Sequence, residues 1–122
     1  MPTRRYILLL GLAMAASRAG VASADDVTFV LKIENGRVPR NMRLIRIKQG
    51  DAVKLQWSTD RRMSLHLHGY DIEKKVEPGA VAEMAFEARA TGRFPVEEHK
   101  PDAKGSHSHG EAPLVRIEVR PR

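Results

Sequence analysis

The side chains with the clearest chemical potential in this chain are its five histidines. His66 and His68 stand one residue apart in "RRMSLHLHGYD" (61–71). His99 closes "GRFPVEEH" (92–99), and His107 and His109 lie in "SHSHG" (106–110). None falls in residues 1–65. Imidazole nitrogen suits Cu(II), Zn(II) and Ni(II), so the grouping points first to a divalent metal. Asp71, Glu97 and Glu98 could complete a donor set or hold an imidazole in orientation. Met63 and Met84 could offer soft sulfur to Cu(I), but they sit outside any tight motif. The chain has no cysteine, which removes disulfides, thiolate nucleophiles and thiolate-bound metal together.

Each histidine also has a plainer reading. If Leu65 and Leu67 point into a core, strand alternation turns His66 to the opposite face, toward solvent. His68 shares that parity but ends its run just before Gly69, where the chain can turn toward a site. His99 is likewise either a ligand or a strand-end residue. His107 and His109 belong to "KPDAKGSHSHGEA" (100–112), which holds almost nothing apolar. Connections this long in a small domain are either functional or disordered. No enzyme is expected. There is no nucleophile elbow, phosphate-cradling glycine loop or H-E-x-x-H pattern.

The elements that must position these residues begin after a leader. Residues 1–24 combine a basic start (Arg4, Arg5), an apolar run from Tyr6 to Ala16 and a small-residue end, Ala22-Ser23-Ala24. That is the layout of a secretory signal peptide, with cleavage expected after Ala24. The run is too short for a stable membrane anchor. Thr3 to Leu8 loosely resembles a twin-arginine signal. A periplasmic or secreted location follows as the expectation. The remaining domain, 25–122, begins at Asp25, so a metal brace built on an N-terminal histidine is excluded. The leader holds three arginines and no acid, so half of the precursor's net charge of +6 leaves with it. The remaining basic residues alternate with acids and form no stripe, which argues against nucleic acid.

From residue 25 the chain reads as short strands broken by turns. Period-2 alternation runs through "VTFVLKIE" (27–34), "MRLIRIK" (42–48), "AVKLQWS" (52–58), "SLHLH" (64–68), "VAEMAFEA" (81–88), "TGRFPVEEH" (91–99) and "PLVRIEVRP" (113–121). "VEPGAV" (76–81) reads as a turn around Pro78-Gly79. Pro95 suggests that its strand is an edge or carries a bulge. Such spacing predicts an all-β, antiparallel sandwich or barrel of about seven or eight strands in a single domain. Trp57 is expected to plug its centre.

The order of these motifs resembles the cupredoxin family over nearly the whole of 25–122. "KQGDAVKLQW" looks like the family's glycine-aspartate turn between strands. "LHLHGYD" looks like its first ligand histidine, with His68 the better match before Gly69-Tyr70. "ATGRFPVEEHKPD" looks like the strand that ends in the copper cysteine, and "APLVRIEV" like the closing strand. The resemblance implies a Greek-key sandwich with His68 at a ligand position. In such a sandwich His68 and His99 would lie near one pole, and the loop histidines His107 and His109 could fold over it. The chain departs where the cysteine should stand, near Glu98, and no methionine follows His99. A blue copper centre needs its His₂Cys set, so blue-copper electron transfer is not expected.

Three readings follow. In the first, an exported cupredoxin-like monomer holds copper, or less readily zinc or nickel, through His68, His99, His107, His109 and His66. In the second, a metal-free sandwich meets a protein partner in the cell envelope. In the third, an altered copper centre uses Glu98 in place of sulfur.

Overall fold

A computed structural model describes residues 24–100 and 112–122. It contains eight strands: β1 (Asp26–Ile33), β2 (Leu44–Lys48), β3 (Ala52–Thr59), β4 (Met63–Leu67), β5 (Ile72–Val76), β6 (Ala82–Glu87), β7 (Gly92–His99) and β8 (Val115–Arg120). A 3-10 turn, Arg40–Met42, leads into β2. The strands form two sheets, ordered β1-β3-β6 and β2-β8-β7-β4-β5. The all-β sandwich of eight strands matches the sequence reading.

Alternation explains how the two sheets meet. Leu31 and Ile33 of β1, Val53, Leu55 and Trp57 of β3, Met63, Leu65 and Leu67 of β4, and Val115, Ile117 and Val119 of β8 are all buried. The residues between them face outward. β-Branched, aromatic and leucine side chains fit this half-buried, pleated surface. Trp57 sits fully buried in the core as expected, and its Nε1 finds no hydrogen-bond acceptor among the described residues.

Three features were not legible in the pattern. First, β1 pairs with β3 in parallel, and so does β2 with β8, while the other pairings are antiparallel. Alternation reports which face is buried, and it is blind to strand direction. Second, β5 is an additional strand. It lies at a sheet edge, where Glu73, Lys74 and Lys75 break the alternation and guard the open hydrogen-bonding groups. Third, Pro95 lies in an interior strand, since β7 runs between β8 and β4. The Pro95 carbonyl accepts from His68 N–H at 3.1 Å. The reciprocal donor, which proline lacks, would also face His68, one residue past the end of β4. The missing bond therefore falls where the ladder stops.

One end of the sandwich is closed by Asp51. Its buried carboxylate accepts from Lys48 N–H (2.9 Å) and Asp25 N–H (3.3 Å), and the Arg122 guanidinium meets it from the C-terminal side. Burial alone would raise the Asp51 carboxyl, but the two backbone donors and then Arg122 hold it below its ordinary value. The turn "KQGD" thus gathers the start of β1, the turn before β3 and the residues after β8 at one point.

Candidate functional site

The outer face of the five-stranded sheet carries the histidines that the structure describes. With Met63, Leu65 and Leu67 buried, Ser64 and His66 project outward. The register sets Ser64 opposite His99 and His66 opposite Glu97 on β7. On the other side, His66 faces Glu73 and Ser64 faces Lys75 on β5. Carboxylate-bearing residues therefore flank His66 on both neighbouring strands.

His68 follows on the same side, just past β4. The rings of His66 and His68 lie 4.3 Å apart, edge to face at 63°. His68 Nε2 lies 3.0 Å from Glu97 Oε2. A neutral ring that donates Nε2–H to that carboxylate leaves the Nδ1 lone pair available. Carboxylates hold metal-binding imidazoles in this way, fixing the tautomer and raising the basicity of the other nitrogen. His66 Nε2 stands 4.0 Å from Asp71 Oδ1, too far for a hydrogen bond. The side chains of His66 and His68 are 29% and 45% exposed, so both can be reached from solvent.

His99 joins this face but not the immediate pair. Four strand positions separate it from His68, about 13 Å along the sheet. The expected convergence of His68 and His99 at one pole is not seen. His99 is instead a diagonal neighbour of His66, within about 8 Å between Cα atoms. His107 and His109 lie outside the described residues. Among the described residues, no three His, Asp or Glu side chains are set around a common point that could hold an ion. What is assembled is a pair of imidazoles with one carboxylate already engaged.

Much of "HGYD" has a packing role. Gly69 adopts φ +88°, and a β-carbon there would run into the Phe94 ring. Tyr70 packs on Phe86 and Phe94, both at 4.8 Å between centroids. Its hydroxyl donates to Ala90 C=O (3.0 Å) and accepts from Ala90 N–H (3.2 Å). Asp71 takes φ +53°, a left-handed turn position that aspartate tolerates. The segment is a corner that closes the sandwich, at the end away from the β7–β8 connection.

The end from which that connection leaves is basic. A cleft of about 460 Å³ there is lined by Arg37, Arg43, Arg61, Lys100, Glu98 and Leu114 among others. Glu98, near the expected cysteine position, sits 3.7 Å from the Arg61 guanidinium. Four cationic side chains around one carboxylate disfavour a metal cation at this pole. The far half of the outer sheet face is basic too. Arg120 hydrogen-bonds Glu118 and, with Arg93 and Arg46, keeps its carboxyl below the ordinary range. Among the described residues, it is where β4 lies between β7 and β5 that imidazoles stand beside Glu73, Glu97 and Asp71. Glu73 was invisible to sequence reasoning, because the strand that places it opposite His66 was not read as a strand.

The type 1 copper that this fold implies does not fit the chain. The donor set holds no thiolate, and the position closest to it is a carboxylate bound to arginine. No family model matches the chain, and no curated protein matches it. Solved structures do match in fold. One is a heme-copper terminal oxidase dimer, at 19% identity and TM-score 0.58, covering 76% of this chain and 64% of that one. Another is a copper binding protein in its apo form, at 9% identity and TM-score 0.58, covering 78% and 88%. A third is the periplasmic domain of subunit II of the cytochrome oxidase of Bradyrhizobium japonicum, at 14% identity and TM-score 0.55, covering 79% and 83%. The chain spans just under two thirds of the first of these and most of the other two. These likenesses establish a cupredoxin-like β-sandwich.

Proposed function

We propose that this cupredoxin-like domain is exported and binds a divalent metal, copper foremost, on the outer face of its five-stranded sheet. His66 and His68 are the core of the site. The observation that carries this reading is the adjacent imidazole pair with Glu97 hydrogen-bonded to His68 at 3.0 Å. Two nitrogens on one strand face supply two of the three or four donors a Cu(II) or Zn(II) site needs. Rotation of His66, Glu73 or Asp71 side chains supplies a further oxygen or orients a ring. His99, one diagonal step from His66, is the nearest further imidazole among the described residues; His107 and His109, which lie outside them, remain candidate donors in this reading. The bound ion would act as cargo or as a held charge, with no blue-copper electron transfer. The copper-associated names among the structural neighbours support copper over zinc or nickel as the first ion to test.

The test is a Cu(II) titration of the purified chain, read by electron paramagnetic resonance and calorimetry. One equivalent of nitrogen-ligated Cu(II), weakened in His68→Ala and in His66→Ala, is expected. Absence of stoichiometric binding, or binding indifferent to both variants, sinks the reading.

A second reading has its own support. Gly69, Tyr70 and Asp71 are accounted for by packing and turn geometry, and no ready metal cage exists among the described residues. In that case the domain is a metal-free module for a protein partner in the envelope. It then shows no change in melting temperature with Cu(II), whereas an ion bound to the native state alone raises it.

A further inference from the structure

We infer that Asp51 is the docking site for a new N-terminal ammonium, created when the leader is removed between Ala24 and Asp25. The inference rests on the proposed export and on cleavage at that bond. It is independent of any metal. In the cleavage, a leader peptidase adds water across the Ala24–Asp25 peptide bond. Ala24 departs with the new carboxylate, and Asp25 keeps the nitrogen, which takes a proton and becomes –NH₃⁺.

That nitrogen is already placed. The Asp25 carbonyl accepts from Ala52 N–H at 2.9 Å, and the β1–β3 register begins one residue later at Asp26↔Ala52. So held, the Asp25 nitrogen stands 3.3 Å from Asp51 Oδ1. As a peptide N–H it offers one neutral hydrogen bond to a buried carboxylate. As an ammonium it offers three donors and a full charge, and charge-assisted bonds are roughly twice as strong as neutral ones. The surroundings favour the change. The Asp25 and Asp26 side chains at the start of β1, and Glu87 opposite Ala52 on β6, add negative charge. Arg122 on Asp51, Lys48 in the turn and Arg89 just after β6 are the positive groups nearby. Asp51 would then join the first residue of the processed domain to the segment after β8, and the precursor would lack that tie at full strength.

The sign of the pH dependence follows. An ammonium gaining a carboxylate partner has its pKa raised in the folded state. Its stabilising contribution is complete below the ordinary α-amino range of about 7.7–8.0, and is lost as pH rises through the folded value.

Three chains test this: one beginning at Asp25, the same chain N-acetylated, and one beginning at Ala24. The first should melt about 4–8 °C above the other two near neutral pH. The gap should close as pH rises past the α-amino range, and should be absent between the free and acetylated forms of Asp51→Asn. Equal melting of the three wild-type chains at neutral pH overturns the inference, whether or not Asp51→Asn folds. So does a gap that persists unchanged to high pH. Mass spectrometry of the exported protein separately reports the cleavage site. Cleavage elsewhere refutes the processing step, and the melting comparison still decides whether Asp51 accepts the charge.

Discussion

Gly69 lies so close beneath Phe94 that any β-carbon at position 69 would overlap the ring, and its φ of +88° already belongs to glycine. This contact fixes the corner that carries His68. Gly69→Ala combines a left-handed backbone penalty with overpacking, each about 1–3 kcal/mol. The expected loss is about 2–6 kcal/mol, read as a lower denaturant midpoint by the fluorescence of Trp57, the single tryptophan of the chain. Tyr70→Phe removes both bonds to Ala90 and should cost about 1 kcal/mol.

The metal site makes a graded prediction. His68→Ala and His66→Ala each remove a nitrogen donor and should abolish or strongly reduce Cu(II) affinity. Glu97→Gln leaves the donors but loosens the hold on His68, and a fall of about 10–100-fold is expected. His99→Ala, one diagonal step from His66, should have the smallest effect of the described histidines. Calorimetric titration of the four variants gives the ranking. A larger loss at His99 than at His68 would move the site toward the β7–β8 end.

Asp51→Asn should destabilise the domain by about 1–3 kcal/mol, because a charged acceptor of two backbone donors and a guanidinium is replaced by a neutral amide. The Asp51 carboxyl lies below its ordinary value of 3.8 in the folded state. Its contribution is therefore present above that value and is lost as pH falls through the lower native one. Urea melts of the two proteins should differ by a constant amount at neutral and mildly acidic pH. The difference should shrink once the solution is more acidic than about pH 4.

The charged edge of β5 predicts a solubility effect. Replacing Lys74 and Lys75 with valine leaves Glu73 as the one charge on the β5 strand edge, and a more apolar open edge recruits another edge. The double variant should show concentration-dependent association by light scattering, with a near-native circular dichroism spectrum. A strictly monomeric variant would show that some other part of the molecule covers this edge.

The sandwich was legible in the sequence wherever one face of a strand meets the core. Leu31 and Ile33, Val53 and Leu55, and Ile117 and Val119 mark their inward faces by alternation alone. The outward parity of His66 followed from the same rule. Height along the sheet did not follow, because alternation repeats every two residues and says nothing of register. His68 was read as near His99, but the β4–β7 ladder places Ser64 there. The proline that seemed to need an edge occupies an interior strand because its neighbour happens to end. The cationic wall around Glu98 draws Arg37 and Arg43 from the β1–β2 connection and Arg61 from the β3–β4 turn, and no local motif announces such a meeting.

The placement of β8 between β2 and β7 has a kinetic consequence. The last strand of the fold is an interior member of its larger sheet, and its parallel partner β2 lies some seventy residues earlier. Until Val115–Arg120 is available, β2 has no partner in that sheet and β7 has one side open. Non-local pairing of this kind slows folding, because the loop must close before any contact rewards it. A chain emerging from its N-terminus would therefore hold β2 and one side of β7 unpaired until Val115–Arg120 arrives, and its larger sheet would close in one late step.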